Sequence, residues 1–443
     1  MEEKNALEGG AGTGDELLLA GAGKSSGGRP AGSRFSPLRY ELNKIPNGDE
    51  PSRTSALISV LLEEAVRTGA SDIHFDAVAS SYEVRYRVDG SLGEPTLLKQ
   101  EDGLHLVRSL KSRAGLDPGY ALKPLSGRTE IALSSRALSI RVATAPGLSG
   151  EKLALRLLPP SFAKLSLGEL GLSPRDSGQL RGYALDARGM MLVSGPTGAG
   201  KTTTVYALLQ ELKGSNRSVV SIEDPVEYLI PGITQMQVNE KQGLTFAEGI
   251  KGILRLDPDV IMMGEMRDRT SAECALDAAE SGHVVISTMH ARDAAGTLTV
   301  LRNFGFTDHE IAATVDLIVA QRLVRRLCPA CRCQKPLTEE EETLLRSCGI
   351  ALPKQLWHPQ GCHQCDGTGY RGRVGVFELH RLNEQDADLI LGHVDEHTFR
   401  QHLRRHGAAP LFEDILRKAA DGITSLTELQ AMGGFSFYVQ QTP

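Results

Sequence analysis

Gly195-Pro196-Thr197-Gly198-Ala199-Gly200-Lys201-Thr202 fits the phosphate-cradling pattern G-x-x-x-x-G-K-[ST] without a mismatch. Glycines at this spacing let backbone N–H groups close around phosphate oxygens, and a helix N-terminus beside them adds partial positive charge. Lys201 is expected to reach the β- and γ-phosphates of ATP and Thr202 to hold Mg²⁺, with Thr203 next to it among the nucleotide contacts. A second set of residues follows short apolar runs. Glu223, Asp224 and Glu227 come after Ser218–Ile222, Glu265 after Asp259–Met263, and His290 closes His283–His290. Hydrolysis needs a residue that orients or deprotonates water. Glu265 is the first candidate and Glu227 the next. Glu223 and Asp224 are read as holding water or metal, or as satisfying buried amides. His290 reads equally as a γ-phosphate sensor or as a satisfied strand-end histidine. A third set is Cys328-Pro329-Ala330-Cys331 with Cys362-His363-Gln364-Cys365. Two such knuckles make a closed Cys₄ zinc site. The rival, redox chemistry, lacks a thioredoxin-like context.

The elements that must position these residues are legible in outline. Met190–Val193 reads as a buried parallel strand and Thr202–Leu212 as a helix with Val205, Leu208, Leu209 and Leu212 on one face. From 178 to 326 strands and helices alternate as in a P-loop α/β domain, and the acids stand at strand carboxyl ends, where such sheets bind ligands. Residues 53–160 read as a small α+β domain. It holds a helix over Thr54–Thr68, capped by Ser52 or Thr54 and closed by Gly69, and a strand over Tyr82–Val88 that turns at Asp89-Gly90. A second helix covers Gly103–Ala114, and strands follow around Leu138–Val142 and Lys152–Leu157. Arg128, Arg141 and Arg156 on such strands read as solvated, with an anion-facing role as the alternative. Residues 161–177 form a linker in which Leu165–Leu172 docks on the domain that begins at 178. Residues 327–375 form the tetracysteine subdomain, with a helix at Leu337–Ser347 between the knuckles, and 376–443 form a helical tail that includes Glu396–Arg405 and Leu411–Ala420. Cys333 and Cys348 are spare thiols and Cys274 is a core residue. Residues 1–52 read as a flexible Gly/Ser-rich tail. Its Gly21-Ala22-Gly23-Lys24-Ser25 is a decoy, with Leu18 where the first glycine should stand.

Composition narrows the class. The 443 residues are 40% hydrophobic and 23% charged, a globular balance. A net charge of −6 gives no global basic field, so no nucleic-acid partner is expected. No apolar run approaches the ~20 residues of a membrane span, and the acidic N-terminus lacks a signal core, so a cytoplasmic location is expected.

With these residues on the page, the chain resembles the GspE/PulE/PilB family of secretion ATPases from about residue 53 to 435. Gly195–Thr202 is similar to the family's Walker A, with Ala199 where a serine is usual. Glu223–Glu227 looks like its Asp box, Leu254–Asp268 like its Walker B, and Gly282–Ala291 like its His box with His283 and His290. Ala320–Cys328 leads into the tetracysteine element as in the family, and Ala70–His74 and Arg85–Gly90 resemble its second N-terminal domain. The resemblance implies a RecA-like P-loop NTPase domain preceded by a PAS-like α+β domain. It also implies a Mg²⁺-dependent homohexamer that powers type II secretion or type IV pilus assembly. The motor would sit at the inner membrane against a platform protein. Arg128, Arg141 and Arg156 then become phosphate contacts, and the tetracysteine element favours extension over retraction motors. The family usually carries a further N-terminal docking domain, where this sequence has a Gly/Ser-rich stretch. Docking is therefore expected through other surfaces, or in a reduced system. A DNA-translocating ring and a nucleotide-binding scaffold are the rival readings. The first is disfavoured by charge and the second by the intact Lys201, Thr202 and Glu265.

Overall fold

The computed structural model describes Ile45 and residues 49–432, apart from 121, 135–136, 159–164, 187, 214 and 348–350. The expected flexible tail through Lys44, the decoy at Gly21–Ser25, Cys348 and the start of the linker lie outside the described residues.

The chain enters α1 (Glu50–Thr68) at Asp49, ahead of the expected Ser52 or Thr54 cap. Pro51 explains the earlier start, since a proline in the first turn is preorganised for the helix and its missing N–H costs nothing there. Thr54 is buried, and Gly69 closes the helix in the left-handed conformation with φ 71°. Seven strands come next: β1 (Ala70–Val78), β2 (Ser81–Val88), β3 (Ser91–Leu92), β4 (Thr96–Lys99), β5 (Leu125–Ala132), β6 (Ala137–Gly147) and β7 (Gly150–Leu158). The sheet runs β3-β2-β1-β7-β6-β5, with β4 also on β2, and every pair is antiparallel. α1 and α2 (Gln100–Arg113) cover one face, where Leu61, Leu106 and Leu110 meet Ile73, Val84, Ile140 and Leu155. The alternation in β2 works as the sequence implies: Tyr82, Val84 and Tyr86 point into this core, and Arg85 and Arg87 take the other face. Asp89 and Gly90 both have positive φ, as a tight hairpin turn requires.

Register has one consequence that no single strand reveals. Arg128 of β5 stands opposite Arg141 of β6, Arg141 opposite Arg156 of β7, and Arg156 opposite Asp72 of β1. Three arginines thus form one row across three strands.

Leu165–Leu172 docks as expected: Leu167 and Leu172 are buried, and the Gly375 N–H donates to the Leu170 carbonyl at 2.8 Å. After α3 (Pro174–Asp186), the second sheet is built from β8 (Gly189–Ser194), β9 (Val219–Glu223), β10 (Thr234–Gln237), β11 (Val260–Met263), β12 (Val284–Met289), β13 (Val315–Leu327) and a late strand, β16 (Tyr370–Arg381). Its order is β10-β9-β11-β12-β8-β13-β16. The first six strands are parallel, and β16 lies antiparallel to β13. Helices α4 (Lys201–Leu212), α5 (Phe246–Ile253), α6 (Arg269–Glu280), α7 (Ala294–Asn303) and α8 (Asp308–Thr314) pack on it. Strands buried on both faces read as continuous apolar runs, which is why β8, β11 and β12 were visible in the sequence. Cys274 lies on α6, partly buried against the core.

The cysteine block, with β14 (Cys333–Pro336), α9 (Glu339–Ser347) and β15 (Gln355–His358), is an excursion between β13 and β16. The expected boundary at 375/376 falls inside β16, a full member of the second sheet. Beyond it come α10 (Glu384–Leu391), α11 (Glu396–Arg405), α12 (Leu411–Ala420) and α13 (Thr427–Ala431).

A buried polar cluster ties these last helices to the sheet. Asp293 caps α7, accepting from the Gly296 N–H at 2.7 Å, and also receives the Arg400 guanidinium of α11 at 2.9 and 3.1 Å. Beside it, the buried Glu378 of β16 accepts from the Ala294 N–H at 3.3 Å, with the Leu411 backbone also beside its carboxylate. Burial, reinforced by the Asp293 charge, pushes the Glu378 carboxyl up to about 7. The folded state therefore binds more protons than the unfolded chain between 4.5 and about 7, and stability falls as pH rises through that window. Glu378→Gln removes this dependence. Its melting temperature gains on the wild type between about pH 5 and about pH 7.5, as thermal melts across that range will measure; a constant difference would contradict the assignment.

Candidate nucleotide site and cysteine centre

The glycine loop leaves β8 and enters α4 beside β13. A side chain at Gly195 would place its Cβ 2.6 Å from the Gln321 carbonyl oxygen, so only glycine allows this approach. Gly200 caps α4 in the left-handed conformation, φ 87°, and no side chain satisfies the first amides of the helix. Gln321 of β13, 1% exposed, donates from Nε2 to the Ala199 carbonyl at 2.7 Å and fixes the loop from below. Pro196, Thr197, Gly198 and Thr202 are exposed, and Thr203 is half-buried.

Lys201 is buried. Its ammonium donates to the Gly195 carbonyl at 2.8 Å and to that of Pro196 at 3.4 Å, and lies 3.4 Å from His290 Nδ1. His290 Nε2 faces Glu265 Oε1 at 2.9 Å. Arg267 donates from Nε to Glu265 Oε2 at 3.2 Å and from Nη1 to Asp224 Oδ2 at 3.0 Å. One polar chain thus runs from the glycine loop through Lys201, His290, Glu265 and Arg267 to Asp224, joining the carboxyl ends of β8, β12, β11 and β9. Burial lowers the Lys201 pKa, with Glu265 opposing and Arg322 reinforcing the shift.

Glu223 is placed differently. It is 2% exposed and accepts from Ser221 Oγ at 2.6 Å, from Gln235 Nε2 at 3.1 Å and from the Tyr206 hydroxyl. Of the roles its sequence position left open, it takes the internal one; three donors occupy the carboxylate. Glu227 is reached from the first sheet: Arg128 donates to the Val226 carbonyl at 2.6 Å and to that of Glu227 at 2.9 Å. Burial raises the Glu227 pKa, while Arg141, Arg128 and Arg156 draw it down. Arg128 and Arg156 are exposed and Arg141 is half-buried, as the solvated-face reading expects, and the charges of all three act on Glu227. Arg156 also pairs with Asp72 at 3.1 Å.

His283 is a correction of another kind. It precedes β12, at the opposite end of the strand from His290, with Nδ1 3.0 Å from both the Ala278 carbonyl and Ser281 Oγ. The strand separates the two histidines, and the structure does not bring His283 to the site. Sequence reasoning missed Tyr206, Arg267 and Gln321. Arg267 lies two residues past Glu265, which was a usable signal. Tyr206 and Gln321 sit in apolar runs that read as core.

The paired strands β13 and β16 bring the two knuckles together. The sulfurs of Cys328, Cys331, Cys362 and Cys365 lie within 4.8 Å of one another, with separations of 3.9 Å (Cys328–Cys362), 3.7 Å (Cys331–Cys365) and 3.8 Å (Cys362–Cys365). Tetrahedral thiolates about 2.3 Å from a zinc ion stand about 3.8 Å apart, so the donor set fits zinc. The N–H groups of Cys362 and Gly369 donate to Cys365 Sγ, each at 3.2 Å. Cys333 lies outside the cluster, near the His358 carbonyl.

Strand, glycine loop and helix around a buried lysine, with acids at neighbouring strand ends, define a P-loop ATPase. A family model described as Type II/IV secretion system protein matches residues 48–431, and the chain belongs to that family. It is 40% identical to the type II secretion system protein E of Pseudomonas aeruginosa over 84% of this chain and 74% of that one. It is 39% identical to the type II secretion system ATPase E of Vibrio cholerae, with the same shares. It is also 39% identical to the type IV pilus assembly ATPase PilB of Acinetobacter baylyi, over 84% of this chain and 65% of that one. Among solved structures, the Legionella pneumophila ATPase DotB shares the fold with TM-score 0.61 and 22% identity, covering 85% of this chain and 94% of that chain. The retraction motor PilT with bound ADP does so with TM-score 0.57 and 23% identity, covering 85% and 96%. Among the described residues no helix is long and apolar enough to cross a membrane.

The lowered Lys201 pKa carries a sign. The charged ammonium costs stability in full below its folded pKa, and the cost disappears as pH rises from there towards 10.5. Lys201→Met is therefore expected to raise the melting temperature of the nucleotide-free protein near neutral pH while abolishing the further rise that ATP analogues give the wild type. Thermal melts with and without nucleotide check both halves.

Proposed function

We propose that this protein is a Mg²⁺-dependent ATPase that acts as a homohexamer and powers protein export or pilus assembly in a type II secretion or type IV pilus system. It works against an inner-membrane platform protein. The observation that carries the reading is the polar chain from Lys201 through His290 to Glu265, which links the phosphate loop to a carboxylate at 2.9 Å from the histidine. Glu265 orients and deprotonates the attacking water, and His290 reports the γ-phosphate to it. Gly195 to Thr203 bind the nucleotide. Thr202 holds Mg²⁺, which when bound offsets phosphate charge. Asp224 positions Glu265 through Arg267, and Glu227 assists from the loop that Arg128 engages.

Arg128 and Arg156 keep much of their surface exposed and belong to a different sheet from the glycine loop. In the proposed ring, neighbouring chains complete each site. Closure of the two sheets around nucleotide is transmitted through the segment 161–177. Cys328, Cys331, Cys362 and Cys365 hold a structural zinc that staples the excursion between β13 and β16.

Two experiments test this reading. Glu265→Gln should lower ATP turnover on the order of a hundredfold while fluorescent-nucleotide binding persists; turnover near the wild-type rate would reassign the catalytic carboxylate. Metal analysis of protein purified without chelator should find about one zinc per chain. Removing the metal should expose four more thiols to alkylation. Protein free of zinc as purified, with those thiols already reactive, would remove the zinc from the account.

A further inference from the structure

The loop Glu223–Glu227 lies between the glycine-loop helix and the arginine row, and one buried hydroxyl holds it. Tyr206 belongs to α4, the helix that Lys201 opens, and is 1% exposed. Its hydroxyl donates to Glu223 Oε2 and accepts from the Glu227 N–H at 3.0 Å. A phenol has one proton to give and lone pairs to accept, so these two bonds use it at both ends of the loop. The ring lies edge-on to Tyr228, centroids 5.9 Å apart at 75°. Gln235 completes the frame, donating to Glu223 Oε1 at 3.1 Å and to the Tyr228 carbonyl at 2.9 Å, and accepting from the Ile230 N–H at 2.6 Å. From the opposite side Arg128 donates to the Val226 and Glu227 carbonyls. The loop is therefore gripped by α4 on one side and by the first sheet on the other.

We propose that Tyr206 is a positioning residue that carries the seating of the glycine-loop helix to the Glu223–Glu227 loop, and so sets where Glu227 meets the arginine row. The wiring is specific: no other side chain of α4 has a hydrogen bond to this loop among those described. Burial and the neighbouring Glu223 charge keep the phenol protonated, so the link persists across the working pH range. Glu223, which accepts from three side chains, acquires a role as the anchor that Tyr206 grips.

The inference rests on the glycine loop being the ATP site, and the test separates the two. Tyr206→Phe removes one oxygen and keeps the ring in place. Hydrogen exchange is followed in α4 and in residues 224–229, with and without a non-hydrolysable ATP analogue. In the wild type nucleotide should slow exchange in both segments. In Tyr206→Phe the slowing should remain in α4 and disappear from 224–229. Nucleotide affinity should stay within about twofold while kcat falls on the order of tenfold or more, a split that loss of stability alone does not produce. Glu223→Gln should reproduce the effect, and the double variant should add little, because the two side chains act as one unit. Retained protection of 224–229 in Tyr206→Phe, or an equal loss of binding and turnover, would overturn the proposal. A wild type that binds nucleotide without turning it over would count against the hydrolysis reading alone, since the exchange readout needs only binding.

Discussion

The nucleotide site depends on how closely the β13 backbone approaches the glycine loop. The Gln321 carbonyl leaves no room for a Cβ at Gly195, and the Gln321 side chain takes the Ala199 carbonyl at 2.7 Å. A loop rich in glycine has a large conformational entropy to lose. Fixing it needs contacts from a rigid element, and β13 is paired on both sides, with β8 and with β16. The contact fixes the glycine loop against β13 where it enters α4. The loop carbonyls are held by Gln321 on one side and by the Lys201 ammonium on the other. β13 also runs into Cys328, so the strand that supports the phosphate loop is the strand that the cysteine centre terminates.

The same geometry sets the electrostatics. Taking an ammonium out of water is unfavourable, and carbonyl oxygens repay part of that cost without cancelling a full charge. Glu265 offsets some of the remainder through His290, and Arg267 and Asp224 extend the alternation of charge away from the loop. A polyphosphate placed against the loop adds the negative charge that this arrangement favours. The site is thus arranged to bind an anion at some expense to stability, which is the usual trade at functional sites.

Much of this was legible in the sequence, and the failures share a physical origin. The glycine loop, the apolar strands and the two knuckles are local patterns, and local geometry dictates them. Glu265 and His290 meet beside the glycine loop because the carboxyl ends of parallel strands converge whatever the packing details. Glu223 was a candidate as a strand-end acid and His283 through the resemblance to the His box; Glu223 turns to Ser221, Gln235 and Tyr206, and His283 stands at the far end of β12 from His290. Tyr206 and Gln321 were missed because each carries a polar group inside an apolar run, where periodicity reads only the ring or the stem. The start of α1 was misplaced because Ser52 and Thr54 are good caps in isolation, whereas Pro51 admits an earlier turn.

Register was the largest quantity hidden from the sequence, and the arginine row shows what it contributes. Like charges directly opposite one another weaken a sheet by a few tenths to about 1 kcal/mol per pair. Arg128, Arg141 and Arg156 make two such pairs. Asp72 offsets one end of the row at Arg156. Within the first sheet Arg128 donates to Ser139 Oγ at 3.0 Å and has no carboxylate partner among the described residues; further acceptors come from elsewhere in the chain, the carbonyls of Val226 and Glu227, with the Glu227 carboxylate under the influence of all three guanidinium groups. A row that is unfavourable within its own sheet and favourable against the Asp224–Glu227 loop gives the two sheets a reason to close on each other. Because the arginines are largely exposed, salt screens that attraction within a Debye length of about 8 Å at physiological ionic strength.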